Sequence, residues 1–173
     1  MTRGAWVAAV VAGLLFVVAI GIVLVVAGGG DESATARPRG PVAAALDDAT
    51  PSDEPFVDLT ATTIRVGGRS LEVVLADEGD ERYQGLRERD DIGAYDGMLF
   101  VFDGPTSTSF TMSTVPVPLE IGFYDADGRV VNRLLMQPCP DVQARCPLYQ
   151  AKGPFTYALE TLKGDLPEGN LSS

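Results

Sequence analysis

The chain contains no histidine. That absence removes the side chain most often used as a general base near neutral pH, the hydrolytic triads built on it, and the commonest ligand of catalytic zinc. Any catalysis would fall to carboxylates, Tyr, Lys, Ser/Thr or Cys. Cysteine is scarce too: Cys139 and Cys146 are the only two, with six residues between them. Without histidine they make a poor metal site, and their spacing lacks the C-x-x-C form of a redox motif. Neither metal nor cofactor is expected. Positive charge is also short, with 13 Lys and Arg against 24 Asp and Glu for a net charge of −11. The balance is +1 over residues 1–27, −4 over 28–55 and −8 over 56–173. An acidic globular part is repelled by phosphate backbones, which argues against nucleic acid as a partner. No internal repeat is visible, and 173 residues suit one domain of ordinary size.

What the chain does have is a 23-residue uncharged run, Ala5 to Ala27, rich in Val, Leu, Ile and Ala. As a helix it would reach roughly 34 Å, enough to cross a hydrocarbon core. Arg3 precedes it, and Asp31 and Glu32 follow. The positive-inside bias therefore predicts residues 1–4 in the cytoplasm, 5–27 as a single-pass signal anchor in the cell membrane, and the remainder extracytoplasmic. A cleaved signal peptide ending at Ala34-Thr35-Ala36 is the competing reading, but the run is longer than a signal h-region and ends well before that site. No Cys follows the run, which excludes a lipoprotein anchor. Residues 28–55, dominated by Gly, Pro, Ala, Ser, Thr, Asp and Glu, read as a disordered linker with too few large apolar groups to offset the cost of ordering.

From Phe56 onward the signals are those of short strands. Val57 to Val66 and Leu71 to Leu75 flank Gly67-Gly68 and make a hairpin. Met98 to Phe102, Thr108 to Met112, Leu119 to Tyr124, Val130 to Met136 and Phe155 to Leu162 are further candidates, with Asp125 to Gly128 as a tight turn. One short helix is expected over about Asp80 to Glu88, capped by Asp80. Many short strands with Gly/Pro punctuation predict a mainly β domain over 56–173, a jelly-roll-like β-sandwich or partly closed barrel.

Arg82, Gly85, Leu86, Arg89, Gly97-Met98-Leu99-Phe100, Phe110, Met112, Pro118-Leu119-Glu120, Phe123 and Asp125, with the later Pro138-Cys139 and Ala158-Leu159-Glu160, resemble the uncharacterised bacterial and archaeal family DUF192. The resemblance covers roughly the last two thirds of the chain. It implies a mainly β, jelly-roll-like sandwich and brings no established activity. The chain departs from the family pattern at Thr111, where the family favours Trp, at Thr114-Val115 in place of Asn-Thr, at Arg87 in place of Met, and at Glu120 in place of Asp. A ligand site lined by those positions would be altered in this member.

The residues that could carry chemistry are few. Arg82, Leu86 and Arg89 fall on one face of the expected helix, and the two guanidiniums could clamp a carboxylate or a sugar acid; alternatively they pair internally with Glu120, Asp125 or Glu160. Glu120 and Glu160 are the candidate acid/base pair of a carboxylate-dependent hydrolase acting on envelope polysaccharide. Tyr149 could donate a hydrogen bond to a sugar or peptide. Cys139 and Cys146, outside the cytoplasm, are expected to form a disulfide contributing roughly 2.5 kcal/mol, with a labile redox pair as the alternative. The reading that accommodates most of this is non-enzymatic: a membrane-anchored extracytoplasmic module binding an envelope component, a partner protein or a saccharide, through Arg82, Arg89, Glu120 and Tyr149.

Overall fold

The computed structural model describes residues 40–139 and 145–173, all within one unit, Ser33–Ser173. The expected anchor at 5–27 and the first part of the expected linker lie outside the described residues. Among the described residues, no helix is long and apolar enough to cross a membrane.

In chain order the elements are α1 (Ala43–Asp47), β1 (Thr50–Pro51), β2 (Thr60–Val66), β3 (Arg69–Ala76), α2 (Gly79–Gln84), β4 (Gly97–Thr106), β5 (Ser109–Thr111), β6 (Leu119–Tyr124), β7 (Val130–Met136), β8 (Leu148–Gln150), β9 (Phe155–Leu162) and β10 (Leu171–Ser172). Seven strands run side by side as β1-β2-β3-β4-β9-β6-β7, and β10 adds to β2, giving one open eight-stranded sheet; β5 and β8 form a separate pair. The mainly β expectation holds, but the jelly-roll-like sandwich does not. A jelly roll is antiparallel throughout, whereas β3 and β4 here are parallel, with Val73 opposite Gly97 and Ala76 opposite Phe100. Parallel neighbours need a crossover connection, and residues 77–96, including α2, supply it.

Local chemistry explains the hairpins. Gly67 and Gly68 have φ of +56° and +89°, the left-handed backbone that a two-residue turn demands and that a Cβ resists. At the next tight turn, Asp125 Oδ1 accepts hydrogen bonds from the N–H groups of Asp127 and Arg129, both at 2.9 Å.

Both sides of the sheet are buried along residues 73–76 and 97–101, which is why those parts of β3 and β4 read as continuous apolar runs. Val74, Ala76, Met98, Phe100, Ile121 and Phe123 face one core. Ile64, Val73, Leu75, Leu99, Val101 and Leu159 face the other. The first is filled by phenylalanines packed edge to face: ring centroids are 5.1 Å apart for Phe100–Phe110 and 4.8 Å for Phe123–Phe155. The second is covered by α1 and by the C-terminal tail. Val42 and Leu46 are buried there beside Leu166 and Leu171, and Thr62 Oγ1 donates to the Ala45 carbonyl at 2.6 Å. The expected linker is thus corrected over residues 40–55. The short Ala-Leu island is too weak to hold a helix alone, yet it is ordered by burial of Val42 and Leu46 against the sheet.

The tail ties distant parts together. Leu171 sits opposite Val66 in the β10–β2 ladder, and its N–H donates to Gly128 at the β6–β7 turn at 2.8 Å. Cys139 and Cys146 form a disulfide with Cα atoms 5.8 Å apart.

Candidate functional site

The site is built around the end of α2. Glu81 reaches back to accept the N–H groups of Asp77 and Glu78 at 3.0 and 2.9 Å, the capping-box contact that fixes a helix start. The helix begins at Gly79 rather than at the expected Asp80 cap and stops at Gln84. Gly85 follows with φ of +50°, and a Cβ there would lie 3.3 Å from the Phe100 ring; a left-handed residue in that space ends the helix and lets the chain lie against β4. Arg82 and Arg89 therefore do not share a helical face, because Arg89 lies beyond the helix end.

Residues of α2, the segment after it, β4, β5 and β9 surround a cleft of about 310 Å³. Leu86, Phe100, Phe102, Phe110 and Val115 supply apolar wall; Thr108, Ser109 and Thr111 supply hydroxyls; Arg82, Tyr83, Arg87 and Glu160 are its ionisable groups. Arg82 is fixed by Nη1 donating to the carbonyls of Asp77 and, at 2.8 Å, Val101, with its guanidinium 5.2 Å from the Phe102 ring centroid. Arg87 donates from Nε to the Tyr83 carbonyl at 3.0 Å and from Nη1 to the Ser113 carbonyl at 2.9 Å, and lies 5.2 Å from the Tyr83 ring centroid. Each guanidinium is thereby held by carbonyls and a ring, while Nη2 of each makes no hydrogen bond among the described residues.

Glu160 occupies the middle of β9, opposite Met98 of β4 and Ile121 of β6. It is 5 % exposed and lines the cleft, and its carboxyl has no hydrogen bond among the described residues. Burial pushes its pKa up to about 8, against a smaller lowering by the Arg87 charge. At neutral pH the carboxyl is mostly protonated, so the ionised groups of the cleft are the two guanidiniums.

The other candidates are placed elsewhere. Arg89 donates to the Pro55 carbonyl at 2.7 Å, stacks 4.5 Å from the Phe56 ring centroid, and lines a different cavity of about 290 Å³ with Met98 and Phe56. The two-arginine clamp of Arg82 and Arg89 is thus not formed, and the internal partners of both are backbone carbonyls and rings rather than Glu120, Asp125 or Glu160. Glu120 pairs in register with Thr161, and Glu160 with Ile121. Side chains alternate along a strand, so Glu120 and Glu160 lie on opposite faces of the sheet. They cannot flank one bond, which removes the proposed acid/base pair. Glu120 Oε2 instead accepts the Gly164 N–H at 3.1 Å. Tyr149, on β8, accepts the Gln137 N–H at 2.9 Å through its hydroxyl and is not among the cleft residues.

The residue that sequence reasoning passed over is Arg87. Its one signal is that it departs from the family pattern, as do Thr111 and Val115, and all three line the cleft. Among the described residues, no group of three or more His, Cys, Asp or Glu side chains could hold a metal ion.

The fold has solved counterparts. A protein of unknown function from Novosphingobium aromaticivorans is 26% identical with a TM-score of 0.61, over 75% of this chain and 96% of that one. A protein from Sinorhizobium meliloti put forward as a transcription regulator is 26% identical with a TM-score of 0.54, over 64% of this chain and 91% of that one. No curated protein is significantly similar to the chain. The family model of DUF192, described as an uncharacterized ACR, matches residues 62–172, a stretch that takes in nearly every strand described above and the whole wall of the cleft. The chain belongs to the DUF192 family.

Proposed function

We propose that the domain is a binding module, and that the cleft beside α2 takes a small carboxylate-bearing ligand with an apolar or sugar-like body. The observation that carries this reading is the pair Arg82 and Arg87. Both guanidiniums are anchored by carbonyls and rings, both line one cleft, and each keeps Nη2 unbonded among the described residues. Donors fixed in place lose little freedom when an anion arrives, and charge-assisted hydrogen bonds are the stronger kind. Phenylalanine rings and threonine hydroxyls around them suit the rest of such a ligand. Acidic saccharides and exposed peptide carboxylates of the cell envelope have this chemistry. The test is calorimetric titration with benzoate, 3-phenylpropionate and D-glucuronate. At least one should bind, and Arg82→Met or Arg87→Met should weaken it by about tenfold to a hundredfold, the worth of one charge-assisted bond. Binding that is indifferent to both substitutions overturns the site.

In the same reading residues 5–27 hold the module on the outer side of the cell membrane as a single-pass anchor. Support comes from the length of the uncharged run, from Arg3 on its N-terminal side, and from the disulfide, which persists in oxidising compartments. Protease added to intact cells or spheroplasts should digest the domain while cytoplasmic markers survive. Protection of the domain until the membrane is opened would reverse the topology.

A further inference from the structure

We infer that Glu160 is a third recognition arm of the same cleft, its carboxyl donating an O–H hydrogen bond to the bound carboxylate, so that capture of the ligand requires a proton held on the protein. This rests on the reading of the cleft as a carboxylate site. The starting point is an unpaired polar group. The residue is 5 % exposed and lines the cleft, its carboxyl makes no hydrogen bond among the described residues, and its oxygens are not among the fully enclosed polar atoms, so they open to the cleft.

No second carboxylate lines the cleft to take its proton, and the Thr108, Ser109 and Thr111 hydroxyls that do line the cleft make no hydrogen bond to Glu160 among the described residues. Met98 of β4 and Ile121 of β6 flank it in register, Phe100 and Phe102 of β4 and Phe110 of β5 contribute rings, and the charged or titratable groups around the cleft are Arg82 and Tyr83 of α2 and Arg87 after it. Glu120, the acid on the adjacent strand, faces the other side of the sheet. An ionised Glu160 would confront an anionic ligand across one small cleft, and like charges that close disfavour each other. The neutral acid has the opposite character: one O–H donor, able to form a short bond to a carboxylate oxygen. Burial keeps it in that form up to about pH 8, with Arg87 the opposing influence. The ligand would meet two guanidiniums and one acid proton, and lose the third when Glu160 ionises.

The experiment is titration of the full-length chain in detergent with the same three acids between pH 6 and 9.5, alongside Glu160→Gln and Glu160→Leu, each checked for folding by circular dichroism. Affinity of the natural chain should hold up to about pH 8 and then fall, approaching tenfold per pH unit. Glu160→Gln keeps an N–H donor and cannot titrate in this range, so its affinity should stay within a few-fold and lose that pH dependence. Glu160→Leu should bind at least tenfold more weakly at pH 7. A pH-independent affinity, or one that rises as Glu160 ionises, overturns the proton arm; if Arg82→Met still weakens binding, the guanidinium site survives. Should none of the acids bind, both readings fall.

Discussion

The two faces of the sheet hold polar groups that lack hydrogen bonds among the described residues, in contrasting circumstances. On the face under α2 the group is the Glu160 carboxyl, set beside a cleft and near Arg87. On the face under α1 and the tail the groups are the hydroxyls of Tyr124 and Tyr157, fully buried and without a hydrogen-bond partner among the described residues. The fit there is tight: a Cβ on Gly40 would lie 2.3 Å from the Tyr157 hydroxyl oxygen, and one on Gly122 2.7 Å from that of Tyr124. Burial raises both phenols, Tyr124 to about 12, with Arg133 lowering and Glu168 raising it as smaller influences. A phenol pushed further up is neutral at every physiological pH, so its burial costs hydration and changes no charge. A carboxyl pushed to about 8 keeps its proton at neutral pH, where an ordinary one is ionised, and gives it up only as the pH rises past 8. Burial therefore produces an inert layer on one side and, where a carboxyl opens on a cleft, a titratable site on the other.

The sharpest test of that contrast is stability against pH. In the unfolded chain Glu160 ionises near its ordinary value of 4.5, while in the folded chain it holds its proton to about 8. Between those limits the unfolded state binds fewer protons, so this group makes the fold progressively less stable as pH rises, by an amount on the order of 5 kcal/mol across the whole window. Glu160→Gln should remove that slope and leave the variant more stable than the natural chain at pH 8, with little difference below pH 4.5. Denaturant unfolding at pH 4.5, 6 and 8 measures it. Parallel slopes for the two proteins would mean that the carboxyl ionises freely in the folded state, and the contrast between faces would vanish.

A smaller effect is expected on the opposite face from Leu46→Ala, which empties a fully buried position of the layer over that core. Cavity formation should cost about 2–5 kcal/mol. A loss well below that range would mean that residues 40–55 contribute little to closing the second core, restoring the linker read from composition.

That linker shows why some of the fold could be read in the sequence and some could not. The strands Leu119–Tyr124, Val130–Met136 and Phe155–Leu162 were legible to the residue, because apolar runs bounded by Gly, Pro and Asp turn signals are local information. The hairpin at Gly67-Gly68 was legible for the same reason. The α1 helix was not: five residues without a side-chain cap carry no local signal, and what orders them is burial against strands far along the chain. The parallel β3–β4 pairing was equally hidden, since nothing in either run records the direction of its neighbour. For the site, Arg82 and Glu160 stood out as parts of the family pattern, Glu160 also as a candidate acid/base carboxylate. Which acid could work with which depended on the register between β6 and β9, where one residue decides the face. Arg87 was hidden because the helix, expected to run to about Glu88, stops at Gln84 and leaves Arg87 in the segment after it, beside the cleft.

The smallest effect should come from Tyr157→Phe. The hydroxyl has no hydrogen-bond partner among the described residues, so its removal recovers desolvation that burial had cost, while the small volume vacated near Gly40 forfeits some packing. The net expectation is a gain of up to about 1 kcal/mol, seen as a rise in Tm of roughly 2–4 °C for a domain of this size. The gain should not vary with pH between 4.5 and 8, because the phenol is neutral throughout that range in both folded and unfolded chains. A pH-independent gain beside the steep profile assigned to Glu160 would separate the two faces by chemistry alone. A loss of stability greater than about 1 kcal/mol would mean that the hydroxyl is satisfied by a buried water, making the second face a polar network and ending the contrast from its side.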